Sequence, residues 1–449
     1  MAALISHSLK EDSALKQVRI GLCGLGTVGS GTVKVLADNR EEITARAGCD
    51  IVVTHIGARR DNPAVDITGI KVSRDIFDVV NDPDVDVVVE LIGGTDTAYE
   101  LVLKAIENGK HIVTANKALV AKHGNALFAK AREKGVTIAF EAAVAGGIPI
   151  IKALREGLAA NRIEWLAGII NGTSNFILTE MREKGRAFDD VLKEAQALGY
   201  AEADPTFDVG GMDAGHKLVI LASLAFGMPL NLDALNCEGI DVIQTDDVRY
   251  AEELGYRIKS LGIARRTKKG IELRVHPTLI PAQRLIANVH GVMNAVLVKG
   301  NAVGPSLYYG PGAGSLPTAS SVVSDLVDIA RSLQSPLEQR VPYLGMQLDA
   351  LKDLPILPMA EVETAYYLRM TAQDKPGVLS KVAQIISEAG ISIEAIIQKA
   401  PREGQQVVPL IILTNKTVEK KLTAAVAQIE ALENIDGKVM RLRVENLEG

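Results

Sequence analysis

A short apolar run at residues 18–26 (VRIGLCGLG) ends in glycines and passes directly into TVGSGTVKVLADNREEI, whose apolar residues recur at helical spacing. Few patterns narrow the choice of fold as much. The glycines at 24, 26 and 29 give G-x-G-x-x-G between a strand and a helix. Gly24 permits a tight turn, Gly26 lets backbone approach a diphosphate, and Gly29 lets the helix pack on the strand. The diphosphate would rest on the helix N-terminus.

The alternation continues. IVVTHIGARR is a second strand, VDVVVELIGG a third, HIVTANK a fourth ending in Asn116 and Lys117, and VTIAFEAAV a further one. ELVLKAIENG and NALFAKAREKG are helices between them, each closed by glycine. Strands separated by helices of this length imply a parallel, doubly wound sheet of Rossmann type, with ligands at the carboxyl ends of its strands. This α/β domain is expected over 18–147, with a return helix at about 316–334 entered through the glycine-rich GPGAG turn. Residues 1–17 are expected to be an N-terminal tail.

The end of the second strand bears on the cofactor. NAD-preferring folds usually place an acid there for the ribose hydroxyl. Here Arg59 and Arg60 follow Gly57 and Ala58, and two guanidiniums suit a 2′-phosphate. Asp61 could still serve a ribose, and the arginines could be a solvated pair. NADP is favoured, with NAD possible.

Residues 198–217 (LGYAEADPTFDVGGMDAGHK) set Glu202, Asp204, Asp208 and Asp213 ahead of a single lysine, Lys217. That lysine opens the apolar run LVILASLAFG, where charge is poorly tolerated, and Asp213 lies four residues before it on the same helical face. Such a cluster could bind an ammonium-bearing substrate and move a proton beside it. Upstream, NGTSNFIL places Asn171 to Ser174 at a strand-to-helix turn, where capping is the common use. EAAVAGGIP could expose backbone carbonyls, with Glu141 adding a carboxylate to a hard-cation site, or could be only a tight crossover.

An α+β catalytic and dimerisation domain with a mixed sheet is expected over 148–315, and a linker over 335–360. The tail, 361–449, reads as strand, helix (DKPGVLSKVAQIISEAG), two strands, helix and strand. That is the ferredoxin-like βαββαβ order, expected as a separate binding domain whose sheet edges could join subunits. A net charge of −6 argues against nucleic acid or an anionic membrane as partner. Three scattered cysteines suit a reducing cytosol, and no apolar run is long enough for a membrane span. A cytoplasmic protein is expected.

Taken together, GLGTVG, TANK, EAAVAGGIP, NGTSNFIL, GYAEADPTFDVGGMDAGHK and GPGAG resemble, in content and order, the long bacterial homoserine dehydrogenases that end in an ACT domain. DKPGVL is similar to the amino-acid-binding loop of ACT domains. The resemblance implies NAD(P)H-dependent, reversible reduction of L-aspartate 4-semialdehyde to L-homoserine, in threonine, methionine and isoleucine biosynthesis. It implies Lys217 as proton donor, with Lys117 as a second donor or electrostatic stabiliser. Glu202, Asp208 and Asp213 would hold the substrate's amino end, and Thr173 would touch it.

The cofactor set so implied is Gly24, Gly26, Thr27, Val28, Gly29, Arg59, Arg60, Thr95, Lys117, Gly199 and Gly312. A structural Na⁺ would be held at Glu141 and the carbonyls of Val144, Gly146 and Ile148. L-Threonine would act as effector at Asp374, Pro376, Gly377 and Val378, in a homodimer or homotetramer. Two other readings stay open: a nucleotide- and amino-acid-sensing regulator without catalysis, and another NAD(P)-dependent semialdehyde oxidoreductase. An acylating oxidoreductase needs a nucleophilic cysteine, yet Cys23 lies inside the glycine loop and Cys49 and Cys237 lie outside every motif.

Overall fold

The computed structural model describes residues 17–333, 335, 336, 339–399 and 407–448; all but the last residue of the expected N-terminal tail lies outside them. The chain forms two compact units. One contains the described residues up to Glu156 together with Ala313–Asp349, and the other Gly157–Gly312 together with the described residues from Ala350. Within the first unit, the Glu141 carboxylate accepts from Ile151 N and Lys152 N, at 2.9 Å each, which ties the turn between them together.

The first unit is built on a parallel sheet of β1 (Gln17–Cys23), β2 (Asp50–Gly57), β3 (Lys71–Ser73), β4 (Val87–Glu90), β5 (His111–Thr114) and β6 (Ile138–Ala139). Their order is β3-β2-β1-β4-β5-β6. Val87, Val88 and Val89 are all fully buried, the mark of a parallel strand covered on both faces. The Ser315–Ser332 helix returns to this unit, as the sequence implies. It packs against the Thr27–Asp38 helix, with Ser315 Oγ donating to Thr27 O at 2.7 Å.

In the second unit, the strands are β7 (Ile163–Ile169), β8 (Asn236–Cys237), β9 (Tyr256–Arg266), β10 (Ile271–Pro281), β11 (Met293–Gly300) and β12 (Gly304–Pro311). The tail adds β13 (Glu363–Gln373), β14 (Ile393–Gln398), β15 (Val407–Thr414), β16 (Thr417–Val418) and β17 (Ile435–Val444), with helices Val378–Glu388 and Glu419–Glu430 between them. The βαββαβ order therefore holds. The tail's sheet, however, is not apart from the rest. One sheet runs β12-β11-β7-β9-β10-β17-β13-β15-β14, joined where β10 pairs in parallel with β17 at Thr278↔Arg443 and Leu279↔Val444. The cause is burial: ten of the eleven residues of β10 are buried, so its second edge needs a partner. Buried charge reinforces the seam, because Arg274 of β10, 1% exposed, pairs with Glu272 and with Glu445 from beyond β17.

Candidate active site

The second unit gathers the acid–lysine cluster at the end of β7. Lys217 sits in the second turn of the buried Met212–Phe226 helix, not at its first residue. Its Nζ donates to Asp213 Oδ2 at 2.7 Å and to the carbonyl of Ile170 at 2.8 Å. The lysine side chain is 12% exposed and that of Asp213 6%, so the pair is largely withdrawn from water. Gly215, between them, packs tightly on Leu235, whose Cδ2 would lie 2.4 Å from a Cβ there.

Asn171 organises this cluster, a role the sequence reading missed. As N-cap of the Gly172–Lys184 helix it accepts from Ser174 N at 2.7 Å through Oδ1. A carboxamide used that way still has two donors on Nδ2. Here they go to Asp208 Oδ1 and Asp213 Oδ2, both at 2.8 Å. Capping and site assembly look alike in a sequence, because one residue type serves both.

The other expected substrate residues divide. Asp208 joins the cluster through Asn171. Thr173 donates its hydroxyl to Tyr200 O at 2.5 Å, which anchors the turn at Gly199 (φ +74°). Glu202 lies exposed beyond that turn, its carbonyl accepting from Gln196 Nε2 at 3.1 Å. Asp204 accepts from Thr206 N at 3.1 Å, and bonding from the Thr206 side chain, then from its backbone, holds the carboxyl below the usual range. At Gly312, a Cβ would sit 1.8 Å from Asn294 Oδ1, so a side chain there would displace Asn294.

In the first unit, the Thr27–Asp38 helix has Gly26 as N-cap and no side-chain cap. Its leading N–H groups therefore lack the usual side-chain acceptor, and Gly26, with open space where a Cβ would be, leaves them approachable. Gly24 (φ +104°) and Gly29 make the tight turn: Cβ atoms there would lie 2.6 Å from Leu91 O and 2.1 Å from Gly24 O. This cradle, with Thr27 exposed and Val28 half-buried beside it, fits a dinucleotide. Thr95 precedes the Asp96–Glu107 helix, and Lys117 is the first residue of the Lys117–Lys134 helix, capped by Asn116.

Arg59 and Arg60 are exposed just past β2. A third arginine, unremarked in the sequence, joins them. Arg74 donates to Ala58 O at 3.0 Å and to Asp61 Oδ1 at 2.8 Å, which ties up the acid that could have served a ribose.

The turn after Glu141 bends sharply, with Ala145 at φ +53° and Gly146 at φ +38°. An alanine in the left-handed region stores strain of about 1–2 kcal/mol. Such a turn fans out its carbonyls, and the Gly146 carbonyl accepts from Ser321 Oγ at 2.6 Å. The Glu141 carboxylate accepts one N–H of the next helical turn on each oxygen. Beneath lies Asp325, pushed up to about 8 by burial and then by Glu141. Among the described residues, no three His, Cys, Asp or Glu side chains gather as a metal site.

Three family models cover most of the chain: a homoserine dehydrogenase NAD-binding domain at residues 24–141, a homoserine dehydrogenase domain at 149–327, and an ACT domain at 366–434. A homoserine dehydrogenase of Pseudomonas aeruginosa is 65% identical, over 96% of this chain and all of its own. A crystal structure of a homoserine dehydrogenase from Thiobacillus denitrificans is 62% identical with a TM-score of 0.92, covering 96% of this chain and 99% of its own. A hyperthermophilic archaeal homoserine dehydrogenase in complex with NADPH aligns at 27% identity and a TM-score of 0.60, covering 72% of this chain and 100% of its own.

Proposed function

The chain belongs to the homoserine dehydrogenase family, and from that premise we propose how its residues divide the work of the reaction. It is an NAD(P)-dependent oxidoreductase of amino-acid biosynthesis that interconverts L-aspartate 4-semialdehyde and L-homoserine. The observation that carries the assignment of roles is the Lys217–Asp213–Asn171–Asp208 network. NAD(P)H supplies the hydride when bound. As the aldehyde oxygen gains negative charge, the Lys217 ammonium stabilises it and gives up a proton. Asp213 and Ile170 O fix where that ammonium stands. Asp208 and Asp213, with Glu202 from the loop beyond Gly199, hold the substrate's ammonium, and Thr173 supports them by anchoring Tyr200. For Lys117 we propose an electrostatic role beside the nicotinamide.

Finer points follow the same reading. Arg59 and Arg60, with Arg74, favour NADP over NAD through a 2′-phosphate. Na⁺ would rest on the carbonyls of Glu141, Val144, Gly146 and Ile148, where it would brace the strained turn. Domain limits of 18–147 and 361–449 are kept for the nucleotide and regulatory parts. The latter has a cavity of about 500 Å³ at the Asp374–Val378 turn, lined also by Gln398 and Leu410. Its size and the N–H groups following Gly377 suit an amino acid, and we assign it L-threonine. β14, at the end of the sheet, offers an edge for a homodimer or homotetramer. Among the described residues no helix is long and apolar enough to cross a membrane, and we place the enzyme in the cytoplasm.

The cysteines argue against an acylating mechanism. Burial raises the Cys237 thiol to about 12 and Cys23 higher still, and Cys49 is buried. NADPH oxidation in the presence of L-aspartate 4-semialdehyde tests the reading, and an unchanged absorbance would favour the sensing alternative. Millimolar L-threonine should slow the parent enzyme but not an Asp374→Ala variant. Indifference of the parent, with no heat of binding, would leave the tail as an assembly element.

A further inference from the structure

We infer that Arg443, on β17, is a positioning residue for the acid pair Asp208 and Asp213, acting through Glu238. The inference rests on the substrate-binding reading of that pair. The Arg443 side chain is 4% exposed and makes two forked ion pairs. It donates to both oxygens of Glu238, at 2.8 and 2.7 Å, and to both oxygens of Glu419, at 2.9 and 2.6 Å. Tyr366 adds a hydroxyl bond to Glu419 at 2.6 Å. Burial works against the Glu419 charge, yet the Arg443 bonds hold its carboxyl below the usual range. Glu419 alone would neutralise Arg443 within the tail. The second carboxylate comes from the catalytic part.

Glu238 stands where it can matter. It follows β8, and its N–H donates to Val275 O of β10 at 2.8 Å. Two residues on, Ile240 N donates to Val209 O at 2.9 Å, and just before, Cys237 Sγ donates to Gly211 O at 3.5 Å. Gly239 lies so close that a Cβ would fall 2.9 Å from Val209 O. Segment 237–240 therefore lies against backbone 209–211, the link between the short Thr206–Val209 helix bearing Asp208 and the Met212–Phe226 helix bearing Asp213. Close-packed backbone has no slack to absorb a shift. Releasing Glu238 lets that link move, and the two carboxylates move with it.

The test uses the full-length enzyme. Glu238→Gln preserves size and leaves the β10–β17 ladder and the Arg274–Glu445 pair in place, so the tail stays docked. It should raise KM for L-aspartate 4-semialdehyde about fivefold, the scale of coupling between residues of one network. KM for NADPH should stay within about twofold, a split between the two substrates that general destabilisation does not produce. Arg443→Lys, which keeps the charge but loses the fork, should reproduce that split. In an Asp208→Asn background, Glu238→Gln should add almost nothing. A parental KM in Glu238→Gln beside a raised KM in Asp208→Asn overturns the inference and leaves the substrate assignment standing; so does full additivity of the two. If neither Asp208→Asn nor Asp213→Asn raises KM, the substrate assignment itself fails, and this inference with it.

Discussion

Gly26 and Asn171 occupy the same kind of place, each the N-cap of a helix that follows a strand, and they are put to opposite uses. At Gly26 the helix has no side-chain cap, and its N–H groups stay approachable for an anion. At Asn171 the cap is filled by the side chain, whose spare donors draw two carboxylates into a site suited to a cation. The first site is made of backbone and of the absence of side chains; the second is made of side chains. Single substitutions should therefore damage them in different ways.

The sharpest test of that contrast is Lys217→Ala. It should lower kcat by roughly 10²–10⁴, the usual worth of a positioned acid, with little change in KM for NADPH. Steady-state activity within a few-fold of the parent would make the second site structural. Next in size, Asn171→Ala should raise KM for the semialdehyde by about tenfold and also cost about 1 kcal/mol of stability from the lost cap. Asn171→Ser should restore the melting temperature but not KM, because it caps without reaching both acids. If Ser restores both, Asn171 is only a cap.

At the nucleotide end, replacing Arg59 and Arg60 with Ala should shift preference from NADPH toward NADH by about tenfold, since charge-assisted bonds to phosphate contribute about 1.5–3 kcal/mol each. Equal losses with both cofactors would remove the 2′-phosphate from the picture.

The smallest effect should come from Lys259, 2% exposed and outside both sites, where it donates to Asn175 Oδ1 at 3.0 Å. Burial, then Arg182 and Arg257, brings its pKa down to about 7. Between about pH 7 and 10 the unfolded chain holds a proton that the folded chain has shed, so this group's contribution to stability rises with pH across that window. Relative to Lys259→Met, the parent should gain a few degrees in melting temperature from pH 6.5 to pH 9.5. A constant difference between the two would show that the amine keeps its proton throughout.

What could be read from the sequence follows the same division. The glycine turn, the βα alternation and the tail's βαββαβ order rest on local backbone demands, and local demands leave local patterns. The acids and Lys217 were visible because they crowd one segment. Asn171 and Arg74 were not, because each acts across the fold on residues that nothing nearby announces. Nor does the sequence show that the Glu141 carboxylate also holds the first turn of the helix beginning at Ile150. Nor does any spacing hint that β17 returns to β10, since a two-pair parallel ladder between distant segments has no sequence period of its own.

That ladder sets a timetable. During synthesis, β10 emerges well before β17, which begins only at Ile435, long after β10 ends at Pro281. Until then the stretch of β10 that pairs with β17 has an open edge, and the guanidinium of Arg274 lacks Glu445. Open edges of this kind recruit other chains. The nascent enzyme should therefore depend on chaperones late rather than early. A gene shortened after Pro358 would hold the protein in that unfinished state for good, so loss of the tail should show first as aggregation in the cell and only secondarily as lost regulation.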